Sequence, residues 1–392
     1  MNDITKKTFL WGIVGLLILR FILVFLLMNN VPFTDMQDNG FRPNFGGSYF
    51  PDEVNYFNLA QSFAKLSPIA NVANLGYPLF LAPIVYLAGA TSPIDIAKVV
   101  FIVQAFLFFG LAIILTALVA YEVFKKRSLA LGAAALFTVY PYVLFFILKL
   151  ADFPRWIPAF HYQMWINIGA DYLSAILLYS GFYLFIKKFN DNKISLFSAA
   201  AIGALLGAAA LTRVANILYL PLIFLILLWL KKYRESLIFG AISFLVYLPQ
   251  WVYNFYFFGS PFTYGYRIQE LSGHGLETKL LGGWFSFNNV LIFFERVWLN
   301  LPALIWTLPI LILILILGFW RLFSPYGRSP EGGKLEKHLA IILLFWALLN
   351  IGFYIFFVDA QSQLRYFIPS IPPSIILFTV GIIKIHEFRR SI

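Results

Sequence analysis

Apolar residues in this chain come in unbroken runs, not in alternation. Residues 9–28, 311–320 and 339–358 consist almost wholly of aliphatic and aromatic side chains. A helix rises 1.5 Å per residue, so about 20 such residues cross the ~30 Å hydrocarbon core of a bilayer. Barrel strands would alternate lipid-facing and lumen-facing residues, so runs dominated by Leu, Ile and Phe favour helices. The pattern predicts helices near residues 9–28, 99–124, 129–149, 168–187, 194–212, 216–230, 236–257, 301–321, 339–358 and 369–386. The expected fold is an all-α polytopic membrane bundle of about ten transmembrane helices. Residues 76–89 are apolar but too short to span, and they contain Pro78 and Pro83. This segment and the amphipathic stretch at residues 52–65 are expected to lie on the outer face.

Composition agrees. Hydrophobic residues make up 61% of the 392 and charged ones 12%, against about 25% charged in soluble domains. The net charge of +11 would suggest nucleic acid on a soluble protein. Here the basic residues cluster at helix ends, so they report topology instead, and no nucleic-acid partner is expected. Lys6, Lys7, Lys125, Lys126, Arg127, Lys187, Lys188, Lys231, Lys232 and Arg234 fall on one side, which the positive-inside rule makes cytoplasmic. Both termini are then cytoplasmic, in a multi-pass protein of the plasma membrane. Were residues 76–89 to cross, every later cluster would change sides and the bias would weaken. Residues 9–28 are too long for the apolar core of a cleavable signal and read as the first transmembrane helix.

The expected outer loops are elaborate: residues 29–98, 259–300 and, shorter, 151–167. Cytoplasmic connections are short except at residues 324–338. Chemistry is expected on the outer face, since elaborated loops on a rigid scaffold usually carry function. No internal repeat or separate soluble domain is visible, so residues 1–392 read as one membrane domain. The chain has no cysteine, and its four histidines (His161, His274, His338, His386) show no metal-ligand spacing. No metal or cofactor is expected.

Candidate chemistry sits at outer helix ends. Asp52 and Glu53, in Pro51-Asp52-Glu53-Val54-Asn55-Tyr56, fit a helix cap and equally a general base facing a hydroxyl acceptor. Adjacent helical residues point about 100° apart, so only one of the two faces a reaction centre. Asp171 starts a helix, as a dipole partner or as a second acid. Arg213 and Arg365 lie near the outer surface, against the positive-inside bias. Snorkelling explains either alone, and a bound phosphate explains the pair. Arg20 lies mid-helix, where charge is expensive; it is expected to pair within the bundle or to lie near the cytoplasmic leaflet, and a structural role is favoured over chemistry. His161, Tyr162 and Trp165 read as interfacial anchors or a sugar-stacking surface. Lys149, Asp152 and Arg155 could form a local ion-pair set.

The order of these pieces resembles the GT-C membrane glycosyltransferases, in particular the protein O-mannosyltransferase and aminoarabinose transferase branch. The matching pieces are Pro51-Asp52-Glu53 with Tyr56, Gly76-Tyr77-Pro78-Leu79, Asp171, and Ala209 with Leu211-Thr212-Arg213. Pro249, Tyr253-Asn254, Phe258-Gly259-Ser260-Pro261 and Arg365-Tyr366-Phe367-Ile368-Pro369 follow in order. The resemblance implies an inverting transfer of a sugar from a polyprenyl-phosphate donor to an acceptor hydroxyl on a glycan, lipid or protein. It implies Asp52 as general base, with Glu53 and Asp171 as further acids. It implies that Arg213 and Arg365 meet the lipid-linked phosphate, and that Tyr56, Asn254 and Tyr366 line the cavity. Two departures stand out. Tyr77-Pro78 replaces the family's Pro-Pro pair, and no soluble C-terminal domain is visible, so acceptor recognition is expected from the outer loops. The competing class is a transporter or lipid flippase, which would show a central cavity reaching both faces. In a purely structural subunit, Asp52, Asp171, Arg213 and Arg365 would lie far apart.

Overall fold

The computed structural model describes residues 3–30, 51–150, 168–263, 333–355 and 364–379, and among them every regular element is helical. In chain order these are α1 (Lys6–Asn30), α2 (Pro51–Ala64), α3 (Gly76–Ala88) and α4 (Pro93–Ile102). A π-helical turn (Val103–Phe108) joins α4 to α5 (Phe109–Phe124), followed by α6 (Arg127–Leu150), α7 (Ala170–Asn190) and α8 (Leu196–Thr212). A 3-10 turn (Val214–Leu218) leads into α9 (Tyr219–Trp229), then α10 (Tyr233–Phe258) and α11 (Gly333–Ile355). A second 3-10 turn (Leu364–Ser370) opens α12, residues 371–379.

Among the described residues, three helices are long and apolar enough to cross a bilayer: Lys6–Leu26, Pro93–Phe124 and Tyr233–Phe258. Shorter apolar helices, among them Gly76–Ala88, Leu196–Thr212 and Val214–Trp229, accompany them. The helix expected at residues 301–321 lies outside the described residues, as do the loop at 151–167 with His161, Tyr162 and Trp165, and most of the loop at 259–300.

Two helix starts differ most from expectation. The helix expected from residue 339 starts at Gly333, inside the stretch 324–338 expected as a connection. The helix expected from residue 99 starts at Pro93. Ser92 is its N-cap, Pro93 occupies the first turn, and the Asp95 carboxylate accepts from the backbone N–H groups of Thr91 and Ser92, both at 2.9 Å. A reciprocal cap of this kind satisfies orphan donors at the helix start, so the loop expected at residues 29–98 is shorter and more helical than its polarity suggests.

The largest core runs through α5, α6, α7, α8, α9 and α11. At its centre the Phe182 and Trp346 rings stack with centroids 4.2 Å apart. Helices α8 and α10 touch backbone to backbone. A Cβ on Gly203 would lie 2.7 Å from the Phe239 carbonyl oxygen, and one on Gly207 2.9 Å from that of Ser243. This spacing is the small-xxx-small contact of membrane helices, and the Ser243 hydroxyl donates to the Gly203 carbonyl at 3.2 Å. α1 is tied in by Arg20, which is 1% exposed. Its Nε donates to the Ala105 carbonyl at 3.2 Å and its Nη1 to the Tyr142 hydroxyl at 3.1 Å. Its guanidinium carbon lies 3.7 Å from the Phe109 ring centre. Arg20 is thus paired within the bundle.

A second core forms where α2 and α3 cover one end of the bundle. Tyr56, Phe57, Tyr77, Leu81, Ile168, Leu211 and Tyr247 are buried together there. The opposite end holds Glu122 with Lys125 and Asn190, and Asp3 against Ser128. The two ends therefore differ in kind: one carries basic clusters and short turns, the other a helical cover.

Candidate functional site

The helical cover meets three helix ends. α7 begins with Gly169 as N-cap in extended conformation, and Asp171 lies in its first turn. A carboxylate at this position is favoured by the helix dipole. α8 stops at Thr212, and Arg213 leaves it in extended conformation (φ −141°, ψ 115°) before the 3-10 turn. Asn216 helps end the helix there, its amide donating to the Ala209 carbonyl at 3.1 Å. The break lets the Arg213 side chain reach across to α7, where its Nη2 pairs with Asp171 Oδ1. The two side chains are 15% and 5% exposed.

Aromatic rings enclose the pair. The Arg213 guanidinium carbon lies 4.8 Å from the centre of the Tyr366 ring, a cation–π distance. Tyr366 stacks in turn on Tyr354, with centroids 4.7 Å apart and planes 16° from parallel. Tyr56 of α2 acts electrostatically on Arg213 together with Asp171, Tyr354 and Tyr366. Tyr56 also sets its edge on Tyr77 of α3, centroids 5.1 Å apart. Segments far apart in sequence thus converge: α2, α3, the start of α7, the end of α8, the end of α11 and the second 3-10 turn.

Of the two adjacent carboxylates, Glu53 is the one turned into the packed interior, at 2% exposure. Asp52 is half-buried and lies four residues before Tyr56, on the same stripe of α2. Arg365 belongs to the second 3-10 turn, next to Tyr366, but its side chain lies outside the described residues. Asn254 is fully buried in α10, and its amide is engaged locally. It accepts from Gln250 at 2.8 Å and donates to the Pro261 carbonyl at 3.1 Å. It fastens the end of α10 to the turn that follows.

Three neighbours of the cluster were not singled out as site residues from the sequence: Tyr77, Gln104 and Tyr354. Tyr77 stands where the resembled family has proline, and that departure was the available signal. Gln104 is a lone amide in an apolar run, and it lies in the π-helical turn, a feature common near functional sites. Tyr354 has no local signal, because its contact to Tyr366 crosses from one helix to another.

An apolar groove of about 220 Å³ lies between α9 and α10, lined by Ile217, Leu220, Phe224, Phe239, Tyr247 and Trp251 among others. From Phe239 to Trp251 a helix climbs about 18 Å. Ile217 sits only one helical turn beyond Arg213 along the chain. Compared with models of known protein families and with curated proteins, the chain matches none.

Proposed function

We propose that this protein is a GT-C-like membrane glycosyltransferase that moves a sugar from polyprenyl phosphate to an acceptor hydroxyl, with inversion at the anomeric carbon. On this reading the helices form a bundle of about ten spans. The end bearing Lys125, Lys126, Arg127, Lys187 and Lys188 faces the cytoplasm, and the Asp171–Arg213 end faces outward. The observation that supports the reading is the buried Asp171–Arg213 pair under the Tyr366 ring, at the end of the bundle that α2 and α3 cover.

The chemistry follows from what each group does. The acceptor oxygen forms a bond to the anomeric carbon as the bond from that carbon to the phosphate oxygen breaks. The electron pair leaves with the phosphate, and the acceptor proton passes to Asp52. The sugar acquires oxocarbenium character, as in glycoside hydrolysis. Negative charge builds on the departing phosphate, and Arg213 with Arg365 offsets it. Guanidinium suits this role because its five donors present a fork to an oxyanion. Asp171 holds that fork in place before the phosphate arrives. The lipid chain lies in the groove between α9 and α10.

The test incubates purified protein with labelled polyprenyl-phosphate sugars and candidate acceptors, then follows release of polyprenyl phosphate. Asp52→Asn is expected to lower turnover by about 10²- to 10⁴-fold, the usual contribution of a general base. Full turnover in that variant, folded and inserted, removes Asp52 from the mechanism. A donor carried across the membrane without being consumed would mark a flippase instead.

A further inference from the structure

The two partners of the ion pair come from helix ends that are not adjacent in sequence, and three consecutive residues at the start of α3 touch what positions both. The Leu75 backbone N–H donates to Gln250 of α10 at 2.9 Å. Gly76 is pressed against Thr212, the residue before Arg213. A Cβ there would lie 2.4 Å from the Thr212 hydroxyl and 2.7 Å from its Cα. Tyr77 is fully buried. Its hydroxyl donates to Gln104 Oε1 at 2.8 Å and accepts from the Gly169 backbone N–H at 3.1 Å. Gly169 caps α7, two residues before Asp171. The same N–H reaches Gln104 Oε1 only at 3.5 Å, so the tyrosine hydroxyl is its near partner.

We propose that Tyr77 and Gln104 are positioning residues, which fix the first turn of α7 so that Asp171 meets Arg213. The proposal rests on the transferase reading for its consequence, but its geometry stands apart from it. Gly76 sets the height of the end of α8, Tyr77 sets the start of α7, and both sit on one rigid helix. Gln104 is the second residue of the π-helical turn, and such turns are common at functional sites.

The test uses the full chain in lipid nanodiscs. Tyr77→Phe keeps the ring edge on Tyr56 and removes the hydroxyl with both of its bonds, whereas Gln104→Leu removes the bond that orients the hydroxyl and leaves the one from Gly169. Hydrogen exchange over residues 168–175 is expected to quicken about 2- to 10-fold in Tyr77→Phe, the effect of losing one net hydrogen bond, and by less in Gln104→Leu. Tyr179→Phe is the control. It removes another buried hydroxyl of α7, one that donates to the Ile368 carbonyl, and it is expected to leave the first turn unchanged. Unaltered exchange in Tyr77→Phe, or an equal change in Tyr179→Phe, overturns the proposal. A second arm measures polyprenyl phosphate affinity. Tyr77→Phe is expected to weaken it in the native background and to change it by less than about twofold on top of Asp171→Asn, because coupled sites are non-additive. Independent, additive losses overturn the proposal. Local exchange changes in a protein that binds no polyprenyl phosphate uphold the positioning role and refute the donor reading.

Discussion

Removing Asp171 strands a cation in a nearly closed site. Arg213 keeps 15% of its side chain exposed and Asp171 5%, so water reaches the guanidinium only along one edge. Breaking a buried pair by deleting one partner costs about 3–5 kcal/mol. The open edge and the face of Tyr366 soften the loss, which puts Asp171→Ala near the lower end, about 3 kcal/mol. That is roughly a 150-fold shift in the unfolding equilibrium. The measurement is reversible unfolding in mixed micelles, titrated with a denaturing detergent. The decisive comparison is the double variant Asp171→Ala with Arg213→Met. If the cost comes from the uncompensated charge, deleting the charge as well returns at least half of the lost stability. A single variant within about 0.5 kcal/mol of native, or a double variant less stable than the single, would refute the reasoning.

Other outcomes follow from local geometry. Gly76→Ala is expected to destabilise by about 1–3 kcal/mol, as overpacking does, because its new methyl meets the Thr212 backbone. Gly132→Ala, with open space around its Cβ, is expected to be neutral or to stabilise α6 slightly, and thermal melts of the two separate the effects. Gly207→Ala is expected to cost about 1–3 kcal/mol by driving α8 and α10 apart, again read by melting. At the amino terminus, burial acts to raise the Asp3 pKa, but hydrogen bonds from the Ser128 and Ile4 backbone N–H groups outweigh it and leave the pKa lowered. A lowered carboxyl pKa gives a contact that is present above the ordinary value near 3.9 and lost as pH falls through the folded one. Ser128 amide protection, corrected for intrinsic exchange rate, is expected to drop in Asp3→Ala at neutral pH, and the native protein to approach the variant below pH ~3.9.

How much of this was legible depends on range. The apolar runs that became α1, α6, α8 and α10 needed no more than length and composition, because a bilayer dictates both. Residues 76–89 read as too short to span, and α3 has 13 residues. The start at Pro93 was missed although Ser92-Pro93 with Asp95 is a local capping signal. Gly203 and Gly207 also stood in plain view, four apart in an apolar helix, and their spacing marks a close helix contact. Asp171 and Arg213, which pair, were singled out because charge is conspicuous in such a chain. The π-helical turn was not readable, since a uniformly apolar stretch carries no periodicity to interrupt. Nor was the link from Tyr77 to Gln104 and Gly169, which joins residues 27 and 92 positions apart. Pairings of that span are set by how helices stack.

The clamp around Arg20 bears on how the chain is made. Two of its hydrogen-bond partners lie 85 and 122 positions downstream. At roughly 5–20 residues per second, Tyr142 is synthesised about 6 to 25 s after Arg20. For that interval a guanidinium sits mid-way along a hydrocarbon-length helix, at an insertion penalty of about 2.5–3.5 kcal/mol. The first helix therefore cannot complete these contacts until the sixth has been made.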